Sequence, residues 1–166
     1  MFGIENYGVF LLSGIMLNIA PGADTMYILG RSISQGQKAG IMSALGIGTG
    51  VVVHTLLASL GLSLILANSI TAFNVVKYAG AIYLIALGLK ALFSSSGTMA
   101  VENNGKKDNL RKIYLQGLMT NVLNPKVALF FLAFLPQFVS PDSGYGTLPF
   151  LLLGITFVIT GTAWCL

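Results

Sequence analysis

Charge is what this sequence has least of. Only 8 % of its 166 residues are Asp, Glu, Lys or Arg, against 55 % apolar residues and 20 glycines. Soluble domains carry about 25 % charged residues, and a chain of this length cannot hide so much apolar surface in one core. The mean hydropathy of +0.82 agrees. A soluble enzyme, a nucleic-acid-binding protein and a disordered chain all fit this composition poorly. Cysteine is nearly absent too. Cys165 stands alone, which excludes an intrachain disulfide, a CxxC redox pair and a thiolate metal site. The N-terminus has no basic region, since its only early charge is Glu5. A cleaved signal peptide is therefore not expected. No HExxH, Walker loop or nucleophile beside the lone His54 is present, and Gly22-Ala23-Asp24 departs from the GxGD of intramembrane aspartyl proteases. Three acids lie near or beyond the ends of the apolar segments, so no metal cage is expected, and no cofactor is expected either. The chain does not read as an enzyme.

What is there is a series of apolar runs. A transmembrane helix needs about 20 mostly apolar residues. Candidate spans cover residues 7–29, 39–67, 78–93, 114–139 and 148–166. The runs are continuous and do not alternate, which excludes outer-membrane strands of about ten residues. A polar stretch, 94–113, rich in Ser, Asn and Gly, divides the chain into a first unit (1–93) and a second (114–166). On the side of that linker lie Arg31, Lys38, Lys90, Lys106, Lys107, Arg111 and Lys112, and on the other side only Lys77. This bias predicts an outside N-terminus and a cytoplasmic linker. Lys77, placed just before the third span, and Lys90 read as snorkelling anchors. Tyr7, Tyr27, Tyr83 and Trp164 read as lipid or interface packing.

The two units share a motif. Gly14, Met16 and Asn18 match Gly117, Met119 and Asn121 in order, and Pro21 follows the first set as Pro125 follows the second. Leu45-Gly46-Ile47 matches Leu153-Gly154-Ile155 more faintly. Three spans separate the copies, so the second enters the membrane from the opposite face. The expected fold is an all-α integral membrane protein, with five spans of a 3+3 inverted-topology repeat whose sixth span would follow. The first helix of each half is broken by proline, which removes a donor and clashes with the preceding turn.

Each break frees backbone groups at membrane depth, where lipid offers no partner. Asn18, Pro21, Gly22 and Asp24 lie at the first break, and Asn121, Asn124, Pro125 and Lys126 at the second. Asp24 falls in the first turn after its break, where the helix dipole favours an acid; Lys126 falls where it disfavours a cation. Two readings follow. The pair can hold a zwitterion, ammonium to Asp24 and carboxylate to Lys126 and the freed N–H groups. It can instead form a permanent ion pair that ties the halves together. His54 shares a helix face with Gly46 and Gly50, a face suited to close packing. It reads as a packed, hydrogen-bonded histidine or, with Asp24, as a proton carrier. Gly36-Gly40 and Gly46-Gly50 also fit the GxxxG pattern of a homo-oligomer contact.

These residues resemble a known family. Asn18-Ile-Ala-Pro-Gly-Ala-Asp24, Gly36-Gln-Lys-Ala-Gly40, Gly46-Ile-Gly-Thr-Gly50, Lys77-Tyr-Ala-Gly80, Gly88-Leu-Lys90, Asn121-Val-Leu-Asn-Pro-Lys126 and Phe134-Leu-Pro-Gln-Phe138 are similar to motifs of the LysE/RhtB amino-acid exporters. The resemblance covers about residues 5–165. It implies a six-helix exporter of the bacterial inner membrane, driven by the proton gradient, with Pro21, Gly22, Asp24, Asn124, Pro125 and Lys126 at motif positions. Many members have Pro-Gly-Pro where this chain has Pro21-Gly22-Ala23. One acid and one base within the spans balance, which points to a net-neutral amino acid. The alternative is a non-transporting membrane subunit held together by the same contacts.

Overall fold

The structure is a computed structural model that describes residues 2–93 and 108–165, without the side chains of residues 83, 84 and 86–93. Residues 94–107 of the expected linker, with Lys106 and Lys107, lie outside the described residues, as do Leu166 and the side chains of Tyr83 and Lys90.

The described chain is helical, with a single isolated bridge between Ile4 and Val139. Helix α1 (Tyr7–Ile19) runs to the first break. Its last bond is Ala20 N–H to the Met16 carbonyl, because Pro21 cannot donate the next one. The extended Gly22 then starts α2 (Ala23–Gln35), and the two axes differ by 46°. Gly36, at φ +88°, makes the sharp turn into α3 (Gln37–Asn68). Ser69 accepts from the Ala72 N–H and opens α4 (Ile70–Phe93). Helix α5 (Leu110–Val122) ends at the second break. There the Asn124 side chain accepts from the Lys126 N–H at 3.0 Å, and Pro125 occupies the first turn, where its missing donor costs nothing. Helix α6 (Pro125–Phe138) leaves α5 at the same 46°. It widens over Phe130–Phe134 and tightens over Leu135–Phe138. Helix α7 (Leu148–Cys165) closes the described chain.

Helices α3 and α7 are long and apolar enough to cross a membrane, and the bent pairs α1–α2 and α5–α6 each pass the same test as one broken span. At 32 residues, α3 is about 48 Å long. Helix α4 begins at Ile70, so Lys77 lies within it and not ahead of it. The serine cap starts the helix before the lysine, and Ile70–Val76 is apolar enough to continue it.

The core has two parts. Phe10, Phe130, Phe131, Phe134, Phe138 and Phe157 join α1, α6 and α7, with Phe130 stacked on Phe157 at 4.5 Å. The second part is the seam of α3 against α5. A Cβ added at Gly46 would run into the Tyr114 carbonyl, and one at Gly117 would stand 2.8 Å from the Ser43 carbonyl. The Gly46-Gly50 stripe is thus used inside the molecule, where two backbones touch. Helix α2 is different: it buries no residue completely, and Leu29 and Ile33 are exposed.

Candidate functional site

The two breaks meet through their side chains. Asn121 is fully buried on the last turn of α5, in space that Gly50 leaves open; a Cβ there would stand 2.6 Å from its Oδ1. Its Nδ2 donates to Asp24 Oδ2 at 2.8 Å. A carboxylate only accepts, so this contact fixes the amide with Oδ1 turned away. Asp24 stands in the first turn of α2, where the helix N-terminus favours its charge.

His54, on α3, is buried at the same place. Its Nε2 lies 3.1 Å from the Asn121 backbone carbonyl, and its ring stacks on Phe131 at 5.9 Å. A carbonyl only accepts, so Nε2 is the donor in this contact. The ring is thus packed and hydrogen-bonded.

The Asp24–Lys126 ion pair, the second of the two readings, is not formed. Among the described residues the ion pairs are Arg31–Asp108 and Lys112–Asp108, both at 2.8 Å. Lys126 instead crosses to the other half. Its Nζ donates to the carbonyls of Leu17 at 3.0 Å and Ala20 at 2.9 Å. These belong to the end of α1 that Pro21 leaves without helical donors. The position of Lys126 at the start of α6 is unfavourable for a cation, but its ammonium sits at the C-terminal end of α1, where the dipole favours one. A third N–H of the ammonium remains.

Three buried side-chain atoms have no partner among the described residues: Asn18 Nδ2, Asp24 Oδ1 and Asn121 Oδ1. Leaving such an atom unpaired costs about 1–3 kcal/mol, and lipid cannot relieve it. Of the residues expected at the site, Asp24 and Asn121 are joined directly, with His54 on the Asn121 carbonyl and Lys126 on the first break. Asn18 instead faces α7, with its Oδ1 3.3 Å from where a Cβ of Gly161 would stand. Pro21, Gly22, Asn124 and Pro125 act through the backbone, by making the two breaks.

Sequence reasoning missed a polar ladder that extends from this site along α2 and α5. The Tyr27 hydroxyl donates to the Ile113 carbonyl at 2.8 Å and approaches Gln116 Oε1 at 3.4 Å. Tyr27 is thus a hydrogen-bonding residue and not simple lipid packing. Arg31 donates to Gln116 Oε1 at 2.6 Å and to Asp108, and its guanidinium lies 5.5 Å over the Tyr27 ring. The Asp108 N–H donates to Gln35 Oε1 at 2.9 Å. Hydrogen bonds from Lys112 and Arg31 hold the Asp108 carboxyl below its ordinary range.

Helices long enough to cross a bilayer, two of them broken, with unpaired polar atoms where the breaks meet, define a class: polytopic membrane proteins with a polar site built on discontinuous helices. The comparisons give the family. Residues 15–166 match the LysE type translocators, and the chain belongs to that family. It is 37 % identical over 133 residues to the Uncharacterized membrane protein YrhP of Bacillus subtilis (strain 168), covering 75 % of this chain and 63 % of that protein. It is 30 % identical over 161 residues to the Leucine efflux protein of Salmonella choleraesuis (strain SC-B67), covering 95 % of this chain and 74 % of that protein. A Leucine efflux protein of Salmonella paratyphi A (strain ATCC 9150 / SARB42) matches to the same extent. The chain thus spans just under two thirds of the first of these relatives and about three quarters of the others. No solved structure matches it.

Proposed function

We propose that this protein exports neutral, zwitterionic amino acids across the bacterial inner membrane, coupled to the proton gradient. The observation that carries the reading is the pair of unpartnered acceptors where the breaks meet, Asp24 Oδ1 and Asn121 Oδ1. An α-ammonium supplies the donors that Asp24 and Asn121 lack. An α-carboxylate accepts from the remaining N–H of Lys126. Pro21-Gly22 and Asn124-Pro125 hold the two breaks open around the ligand. His54 and Asp24 carry the proton. A relative named for leucine efflux supports an apolar, net-neutral substrate.

The same reading makes the chain five spans of a 3+3 inverted-topology repeat, with 1–93 as its first unit and 114–166 as an incomplete second. Two equal bends of 46°, at Pro21 and before Pro125, support it. So does the packing of each bent span on the second span of the other half, α1 on α7 through Gly14 and Phe157, and α5 on α3. The N-terminus is outside and the linker cytoplasmic. Arg31, Arg111 and Lys112 lie with Asp108 toward one end of the α2–α5 pair, as that orientation requires.

Cells producing the protein are expected to hold lower internal levels of at least one neutral amino acid or toxic analogue after loading with its dipeptide. Unchanged levels across a panel of neutral and basic amino acids, with the protein shown in the membrane, would instead leave a non-transporting membrane subunit.

A further inference from the structure

Helix α5 packs on α3 along one side and bonds to α2 along another. A further stripe of its surface is exposed. Arg111, Leu115 and Met119 follow one another on it at four-residue steps, and Leu123 comes next. The stripe borders an open recess of about 380 Å³, lined by Asn109, Arg111, Lys112, Leu115, Gln116 and Met119.

The two ends of this surface differ. Arg111 and Lys112 stand in the first turn of α5, at one end of the broken α5–α6 span. The apolar side chains begin a turn later and run from Leu115 to Leu123, eight residues or about 12 Å. A phospholipid has the same order, with its charged head at the interface and its chains directed inward.

Charge selects among headgroups. Among the described residues at this end of the α2–α5 pair, Arg31, Arg111 and Lys112 stand against one acid, Asp108. The surplus is positive, and such basic clusters attract headgroups with net negative charge. Arg111 can take phosphate oxygens in pairs, and Lys112 gives one of its three N–H groups to Asp108. A free anion would use the cations and leave Leu115 and Met119 uncovered. A lipid uses both parts.

We propose that this recess binds an anionic phospholipid, its phosphate on Arg111 and Lys112 and an acyl chain along Leu115, Met119 and Leu123. What is required is that α5–α6 cross the membrane; whether the protein exports does not enter.

Quenching of tryptophan by brominated lipids reads the occupant directly. The chain has one tryptophan, so Trp164→Phe with Met119→Trp places the single reporter at the recess. This protein would be reconstituted in vesicles of phosphatidylcholine and phosphatidylglycerol with identical chains, one of the two brominated. Phosphatidylglycerol is expected to occupy the recess severalfold more tightly than phosphatidylcholine. Arg111→Gln with Lys112→Gln should bring the two to equality, with quenching by brominated phosphatidylcholine showing that the variant is still inserted. Equal quenching by the two lipids before those changes overturns the lipid site, as does a preference that survives them. No quenching by either lipid would mean that protein covers the recess, from elsewhere in the chain or from a second copy, and overturns it too. Inorganic phosphate at matched ionic strength should leave the preference intact; abolishing it would assign the recess to a free anion instead.

Discussion

Helix α5 has two faces made of opposite materials. Toward α3 it meets Gly46 so closely that backbone touches backbone, and Gly50 leaves the space that the Asn121 side chain fills. Toward α2 it presents Gln116 and Asn121 to Arg31, Tyr27 and Asp24, with Asp108 just before its N-terminus meeting Arg31. The first face draws its strength from dispersion contacts that leave no room for water. The second draws on hydrogen bonds whose net worth is about 0.5–1.5 kcal/mol each, because water can replace them. One helix thus has a close-packed side and a hydrogen-bonded side. The seam side also places Asn121 against His54.

The largest effect is expected at the seam. Gly46→Leu puts a side chain where the Tyr114 carbonyl lies, and overpacking of this kind costs about 1–3 kcal/mol or more. Little folded protein should survive detergent extraction and size-exclusion chromatography. Lys126→Met comes next. It leaves the Leu17 and Ala20 carbonyls without their donor, at about 1–3 kcal/mol for each one that finds no substitute. Thermal unfolding in detergent should show the loss, with Lys126→Arg recovering part of it. On the ladder, Gln116→Ala removes the acceptor of both Arg31 and Tyr27, and should cost only about 1 kcal/mol by the same assay. A seam that tolerates leucine better than the ladder tolerates alanine would reverse the comparison.

The smallest effect is one of pH. Asp108 has its carboxyl lowered by Lys112 and Arg31, so its contribution is present above the ordinary carboxylate range and fades as pH falls through the lowered value. The stability difference between the protein and Asp108→Asn should stay constant from about pH 8 to 5, and shrink only below about pH 4. A difference that disappears near neutrality would remove Asp108 from the ladder.

Both breaks were legible in the sequence, because Pro21-Gly22 and Asn124-Pro125 act locally through a missing donor. The glycine face of α3 was legible from its four-residue steps, and Asn121 and Asp24 from their places at the breaks. The partners were not. Lys126 was matched to Asp24 by charge, whereas its ammonium finds carbonyls 106 and 109 residues away on α1. Arg31 and Asp108 were visible only as charges near span ends. Their pairing depends on α2 lying antiparallel to α5, which no local period encodes. Tyr27 was read as packing for the same reason.

The central claim is that the amide of Asn121, beside Asp24, binds the transported amino acid. Asn121→Ala removes that amide but keeps the backbone carbonyl that His54 holds. Purified protein and variant would be reconstituted into proteoliposomes loaded with a labelled neutral amino acid, and efflux measured under an imposed proton gradient. The account predicts saturable efflux by the protein and at least a tenfold loss in a variant with unchanged helicity and elution, corresponding to about 1.4 kcal/mol of lost interaction. Equal efflux by the two would contradict it.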